Sequence, residues 1–189
     1  MEDFIRQKTR IARARKGYFI LTKLRGTDSR LFRRFRHGSV VYPGYLDDYA
    51  FLVWELIELY EATFEVHYLE EAVALNKAMI DIFWDKKDGG FYFTGKGNED
   101  LITVSKDAYD GALPSGNSVA AQNFLRLSRI TGNVDLEKMA EQLIRFFSGE
   151  AKASPMGYTQ LLVAVDFIAG PAQEIVIAGD PRPIRALNP

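Results

Sequence analysis

The same kinds of residue return about 68 positions further along this chain, and this internal repeat constrains the fold more than any other feature. The matched positions span an apolar helix-sized segment, a short turn and a second helix-sized segment. The pairs are Leu59 and Leu127, Thr63 and Thr131, Val66 and Val134, Tyr68 and Leu136, Ala72 and Ala140, Leu75 and Leu143, and Met79 and Phe147. Such a repeat predicts stacked helical hairpins, in which each unit buries its apolar face only against its neighbours.

Six segments are predicted helices of two alternating kinds. Residues 46–63, 118–131 and 155–169 are apolar nearly all round, which is typical of helices that are buried on both sides. The other three segments carry apolar residues at helical spacing on one face and charges on the other, and they are residues 4–23, 68–84 and 136–147. We expect the first set to form an inner layer and the second set to form an outer layer.

Short extended segments follow two of the predicted outer helices, at residues 30–36 and 89–94. Aromatic residues alternate there near glycine, which predicts small β-ribbons on one rim, and residues 174–178 are a further candidate. The order outer helix, ribbon, inner helix is that of an α/α toroid. We therefore predict an all-α fold, a single partial α/α-toroid domain over residues 1–189 with about three helical hairpins and short β-ribbons.

The composition limits the cellular compartment and the kinds of reaction and binding site that we expect. The absence of cysteine excludes disulfides, thiolate metal sites and thiol catalysis, and it favours an intracellular protein. No apolar run reaches the roughly 20 residues that a membrane helix needs, and Met1 leads into two acidic residues and not into a signal peptide. We therefore predict a cytoplasmic protein with no membrane partner. Because phosphate loops, dinucleotide motifs and metal-ligand spacings are absent, we expect no cofactor and no metal.

Charge is divided unevenly along the chain. The first 40 residues hold 12 Lys or Arg against three acidic residues, so they carry +9 and the remainder carries −10 of the net −1. A basic N-terminal segment on an otherwise acidic chain can bind nucleic acid or another anionic partner. No nucleic-acid motif accompanies these charges, which favours a solvated surface. Nucleic acid is therefore not the expected partner.

A first polar cluster, residues 43–49, brings Asp47 and Asp48 to the start of an inner helix. Adjacent carboxylates can serve as general acid and base when burial and mutual repulsion separate their pKa values, and they can also bind sugar hydroxyls. A helix cap is the alternative, although one aspartate suffices for a cap. Both interpretations remain open, with Asp47 and Asp48 as candidate catalytic residues and Tyr49 as a surface on which a sugar ring stacks.

A second polar cluster precedes the next inner helix and contains two glycines, a proline and small polar side chains. Such residues let a backbone approach a ligand closely while they offer hydrogen-bond donors and acceptors. The candidates are Asp110 as an acid or base, and Tyr109, Ser115 and Asn117 as binding residues, with Tyr158 at the start of the third inner helix. Turn chemistry plus a helix cap is the alternative explanation of the same composition.

Three motifs resemble a known family. They are PGYLDDYAF at residues 43–51, FWD with GGFYF within residues 83–93, and YDGALPSGNS at residues 109–118. The chain resembles the thioredoxin-domain-containing family that includes the bacterial protein YyaL and the mammalian spermatogenesis-associated proteins, and the resemblance covers nearly the whole chain. It implies an (α/α)6 barrel similar to N-acylglucosamine 2-epimerases and six-hairpin glycosidases and, more loosely, carbohydrate chemistry.

The sequence also departs from this family. Compared with the family, we expect this chain to lack the thioredoxin-like domain, the early barrel hairpins and the segment after the Pro181 region, and so to form about half of a barrel. Epimerases of the related superfamily use inner-helix histidines as acid and base, and the three predicted inner helices contain none. Asp47, Asp48 and Asp110 suit hydrolase-like chemistry better, although a shared fold does not determine a reaction.

Two functions therefore remain open. The first is a six-hairpin-glycosidase-like domain that binds or processes a sugar ligand through its rim carboxylates. The second is a non-catalytic helical-repeat module, because the inner helices of an open half-ring would expose apolar surface that a partner covers. In the second interpretation we expect a homodimer that completes the ring.

Overall fold

In a computed structural model, this chain forms two layers of packed helices. The structure describes residues 31–36, 39–95 and 105–171, together with isolated positions between residues 11 and 30. The elements are strands β1 (Phe32–Arg36) and β2 (Ser39–Pro43), helices α1 (Leu46–Thr63), α2 (Val66–Phe83), α3 (Gly116–Thr131) and α4 (Val134–Ala153), a 3-10 turn (Pro155–Gly157), and helix α5 (Thr159–Ala169). The prediction of an all-α fold with a short β-ribbon is confirmed.

The predicted alternation of inner and outer helices is present. Helices α1, α3 and α5 pack side by side, while α2 packs on α1 and α4 packs on α3. The inner helices α1 and α3 run parallel, since Leu46 lies against Gly116 at their N-terminal ends and Arg126 reaches Glu58 at 2.7 Å further along. Their N-terminal ends therefore share one rim of the molecule. Closure of these layers into a toroid stays a prediction.

The repeat extends to single hydrogen bonds at the ends of the inner helices α1 and α3. The hydroxyl of Thr63 donates to the carbonyl four residues earlier at 2.7 Å, and the hydroxyl of Thr131 does the same at 2.6 Å. The next residue is left-handed in both units, Phe64 with φ 56° and Gly132 with φ 72°. Glycine adopts this conformation without the steric cost that a side chain brings. The first unit therefore carries backbone strain that the second avoids.

An aromatic cluster fixes the segment after α2 against α3. Trp84, Phe91 and Phe124 are buried, and their ring centroids lie 4.9 to 6.1 Å apart. Burying a large apolar side chain stabilises a fold by roughly 1.5–3 kcal/mol. This cluster therefore holds the start of the long loop that leads to the rim.

Two extended predictions need correction, and two other predicted segments lie partly or wholly outside the described residues. Residues 89–94 form one isolated bridge, between Trp84 and Phe91, and not a ribbon. Gly89 and Gly90 both adopt positive φ and turn the chain back between these two residues. The first ribbon is a true antiparallel pair, of which the sequence predicted only β1. The predicted helix 4–23 falls almost entirely outside the described residues, and residues 174–178 fall wholly outside them.

Helix ends also differ from the predictions. The third inner helix begins at Thr159, because Pro155–Gly157 forms a 3-10 turn in which the Gly157 amide donates to the Ser154 carbonyl at 3.0 Å. Helix α4 continues to Ala153, and Ala151 extends its buried face beyond the predicted end at residue 147. None of the helices in the described part of the chain is long and apolar enough to cross a membrane.

The inner helices are not apolar all round, which corrects the sequence prediction. Arg126 of α3 contacts Glu58 and Glu61 of α1 at 2.7 and 2.8 Å. The Gln160 side chain of α5 is hydrogen-bonded to the Gln122 side chain of α3. A stripe of polar contacts therefore joins the three inner helices on a face that is partly open to solvent.

Candidate functional site

A cleft of about 260 Å³ lies where the N-terminal ends of α1 and α3 meet the loop before α3. Of the residues predicted from the sequence, Asp47, Tyr109, Ser115 and Asn117 line it. Asp107 and Phe93 also line it, and neither was predicted. Elsewhere in the described residues, as in this cleft, no three His, Asp or Glu side chains converge in a way that could hold a metal ion. This rim cleft is the candidate site.

Asp47 is the second residue of α1, and its carboxylate meets the first residue of α3. The amide of Gly116 donates a hydrogen bond to it, and Gly116 has no room for a side chain because a Cβ atom would collide with this carboxylate. Burial raises the pKa of Asp47, and Asp48 and Asp107 raise it further, while Gly116 and Arg33 oppose the rise. A carboxyl group in this state is suited to donate a proton or a hydrogen bond to a ligand.

Asp48 has a different environment, although it is the adjacent residue. Its carboxylate accepts the Tyr45 amide at 2.8 Å, as in a capping box, and pairs with Arg33 of β1 at 3.3 Å. The Arg33 guanidinium also lies over the Tyr45 ring, 4.6 Å from its centroid. Asp48 therefore holds the start of α1 and the ribbon together, while Asp47 faces the cleft.

Asp110 links the starts of two inner helices. One carboxylate oxygen accepts the Ser115 amide at 2.9 Å, and the other accepts the Gln160 and Leu161 amides at 2.8 and 3.4 Å. Its own amide donates to the Gly157 carbonyl at 2.6 Å. A carboxylate in this position satisfies free amides at a helix N-terminus and interacts favourably with the helix dipole. These contacts also bring the start of α5 to the same rim.

Ser115 and Asn117 attach the preceding loops to the first turn of α3. The Ser115 hydroxyl accepts the Ser118 amide at 3.1 Å as a helix cap. Asn117 is only 1% exposed, and its side-chain oxygen accepts the Phe91 amide at 2.8 Å. Its side-chain amide donates to the carbonyls of Phe91 and Asp107 at 3.0 and 2.9 Å. The hydrogen bonds of Asn117 therefore go to the backbone that forms the wall of the cleft.

The three tyrosines predicted from the sequence have different environments. Tyr49 is buried in the core, where its hydroxyl accepts the Leu31 amide at 2.8 Å. Tyr158 is also buried and donates to Glu150 at 2.9 Å, and burial, followed by this carboxylate, raises the pKa of Tyr158 to about 12. Tyr109 is 57% exposed and stands edge-on to Tyr158. Of these three rings, that of Tyr109 is presented to a ligand in the cleft.

Asp107 and Phe93 were missed for different reasons. The Asp107 carboxylate accepts the Tyr109 amide at 2.8 Å, an Asx turn that its position two residues before the second polar cluster could have indicated. Phe93 is 37% exposed and packs on Tyr45 with ring centroids 4.8 Å apart. In an extended segment, residues two apart point to the same side, so strand alternation would have predicted that Phe93 shares the burial of Phe91. No local signal distinguishes these two phenylalanines.

Comparison with known proteins finds relatives over most of the chain. Spermatogenesis-associated protein 20 of Rattus norvegicus is 38% identical over 140 residues, which is 74% of this chain and 18% of that protein. The protein of the same name from Homo sapiens is 37% identical over 148 residues, again 18% of its length. The uncharacterized protein B0495.5 of Caenorhabditis elegans is 31% identical over 77% of this chain and 20% of its own length. No protein-family model matches the chain.

These relatives support the family resemblance that the motifs indicated. The chain spans about a fifth of the length of the curated relatives it matches. The thioredoxin-like domain and the (α/α)6 barrel that the resemblance implies for the family stay predictions, as does the expectation that this chain holds about half of such a barrel. Over about three quarters of its length, the chain is similar to a segment of the spermatogenesis-associated protein 20 family.

Proposed function

We propose that this chain binds a carbohydrate in the rim cleft and that Asp47 is the principal hydrogen-bonding group. The observation that carries the proposal is the Asp47 carboxyl group, which lines a cleft of about 260 Å³ and has a pKa raised by burial. Small-molecule sites are commonly clefts of about 300–1,000 Å³ that are lined by apolar groups with a few placed polar ones. At about 260 Å³ the rim cleft lies just below that range, which suits a small ligand of one or two sugar rings.

The lining supplies the two kinds of contact that a sugar needs. Tyr109 and Phe93 expose aromatic rings at the cleft, and the C–H faces of a sugar ring pack on such surfaces. Asp47 and Asp107 supply carboxylate oxygens that accept hydrogen bonds from sugar hydroxyls. When Asp47 is protonated, it can also donate to a hydroxyl or ring oxygen.

Hydrolysis is the reaction that this arrangement would suit best. Asp47 would serve as the general acid because its pKa is raised, and Asp107 is the second carboxylate of the cleft. The other two predicted catalytic residues, Asp48 and Asp110, would position these groups by holding the starts of α1 and α5.

Thermal-shift and calorimetric titration with mono- and disaccharides test the proposal. Asp47→Asn should abolish the sugar-dependent rise in Tm, while its side-chain oxygen can still accept the Gly116 amide. Asp81→Asn is the matched control, because it removes the same charge from an exposed position on α2; it should preserve the rise with sugar. Loss of the sugar effect in both variants, or its absence from the wild type, would contradict the proposal.

Self-association is a second candidate function, and exposed apolar side chains on α5 support it. Leu162, Val163 and Phe167 are between 38% and 46% exposed. A groove of about 350 Å³ between α4 and α5 is lined mostly by apolar side chains. Exposed apolar patches often mark interfaces. Sedimentation velocity should show a dimer that Val163→Glu dissociates, whereas a monomer at every concentration would exclude this function.

A further inference from the structure

The rim cleft has an unbalanced charge. Asp47 and Asp107 are its acidic lining residues, and its described lining includes no Lys, Arg or His. A ligand in the cleft therefore meets two carboxylates without a compensating cation from the described lining residues. Like charges that are brought together at a binding site cost affinity, so this imbalance discriminates between ligands by their charge.

Two cations of the same region are held by other carboxylates. Arg33 pairs with Asp48 at 3.3 Å and acts on Asp47 from outside the lining of the cleft. Lys106 is adjacent to Asp107 in sequence, but its ammonium group binds Asp85 at 2.5 Å and the Gly89 carbonyl at 2.8 Å. The Lys106–Asp85 pair is largely buried, with side chains 9% and 10% exposed. These contacts keep both cations away from a ligand in the cleft.

We propose that the ligand of the rim cleft is a sugar that carries a protonated amino group, an inference that rests on the proposed sugar-binding function. The ammonium group would supply the positive charge that the lining lacks. Its hydrogen bonds to Asp47 and Asp107 would be charge-assisted and stronger than those of a neutral hydroxyl. The exposed Tyr109 ring would add a favourable cation–π contact. Sugars that carry a carboxylate or a phosphate would be disfavoured.

The protons released or taken up on binding give a second test of this proposal, separate from the affinity. The groups that act on the raised pKa of Asp47 are Asp48 on the same helix, Arg33 from β1, Asp107 from the loop and the Gly116 amide of α3. A bound ammonium group favours the ionised carboxylate and so lowers this pKa. Binding should therefore release protons at pH values between the free and bound pKa, which calorimetry in buffers of different ionisation enthalpy measures.

The test compares sugars that share one ring and differ in charge. Glucose, glucosamine, N-acetylglucosamine and glucuronate are titrated into the full chain by calorimetry at about pH 6.5, where an ordinary amine is protonated. We expect glucosamine to bind roughly tenfold more tightly than glucose or N-acetylglucosamine, as one charge-assisted hydrogen bond allows. Glucuronate should bind more weakly than glucose.

Two variants test whether the preference for glucosamine arises in the rim cleft. Asp107→Asn should remove most of the preference for glucosamine while its side-chain oxygen still accepts the Tyr109 amide. Asp81→Asn removes the same charge from an exposed position on α2 and should leave the preference unchanged. Equal affinity for glucosamine and glucose would overturn this inference and leave the proposed function standing. Failure of all four sugars to bind would overturn the proposed function together with this inference.

Discussion

Replacement of Asn117 by alanine should strongly destabilise the fold. The Asn117 side chain makes three hydrogen bonds, which satisfy the Phe91 amide and the carbonyls of Phe91 and Asp107. Asn117→Ala leaves these backbone groups without that partner beside a fully buried Phe91. Each buried polar group that loses its partner costs about 1–3 kcal/mol, so we expect the free energy of unfolding to fall by about 4 kcal/mol. The variant should still fold, since domains are commonly stable by about 5–15 kcal/mol.

Thermal and urea denaturation measure this loss against two controls. In a domain of this size 1 kcal/mol corresponds to about 2–4 °C, so the Tm of Asn117→Ala should fall by roughly 10 °C. Asn123 lies on the same helix and is equally buried, but its side chain makes one such bond, to the Ala50 carbonyl at 2.8 Å. Asn123→Ala should therefore cost about 1–2 kcal/mol. Asn117→Asp should be destabilised most at neutral pH and recover at low pH, where the protonated carboxyl can donate again.

Two results would refute this reasoning. If Asn117→Ala costs no more than Asn123→Ala, the three hydrogen bonds do not hold the wall of the cleft. If Asn117→Ala keeps its stability and loses sugar binding, Asn117 acts on the ligand directly, as the sequence pattern allowed.

Three further predictions follow from single contacts. Phe64→Gly should raise the free energy of unfolding by about 1 kcal/mol, because it removes left-handed strain from a residue that is 79% exposed. Gly132→Ala should lower the free energy of unfolding by about the same amount. If urea denaturation shows that both substitutions change stability in the same direction, backbone strain is not the explanation. Asp110→Ala should lower the free energy of unfolding by about 2–3 kcal/mol, because it removes hydrogen bonds to amides at the starts of two helices. It should also reduce hydrogen-exchange protection at the start of α5. Unchanged protection there would show that Asp110 does not cap α5. Because the folded-state pKa of Asp47 is raised, the native state binds more protons than the unfolded state between about pH 3.9 and the raised pKa. Stability should therefore fall as pH rises through this window and stay level above it. Asp47→Asn should lack this fall, and an identical pH profile of the two proteins in urea denaturation would contradict the explanation.

The layered helices could be predicted because the repeat fixes which faces are apolar. Equivalent positions such as Thr63 and Thr131 make the same hydrogen bond in both units. The left-handed end of α1 could not be predicted in the same way, since Phe64 gives no local sign of that conformation, whereas Gly132 does. The polar stripe on the inner helices was missed because Arg126 finds its carboxylate partners on another helix, at Glu58 and Glu61.

The two polar clusters lie at the starts of inner helices, as the sequence predicted, but the environments of their residues depend on contacts that are distant in sequence. Asp47 and Asp48 are adjacent, and they differ because one meets Gly116 and the other meets Arg33. Asp110 is hydrogen-bonded to amides about 50 residues away, at the start of α5. A sequence pattern shows that carboxylates are present at a helix start, and only the fold shows which of them faces the cleft.

The most direct test of a sugar-binding cleft is an amide NMR titration of the ¹⁵N-labelled full chain with glucose and glucosamine. We expect saturable shifts at the amides of Tyr109, Ser115 and Gly116, and we expect Asp47→Asn to abolish them. Amides of the cleft that do not respond at millimolar sugar, or shifts confined to the exposed face of α5, would contradict a carbohydrate site at this rim.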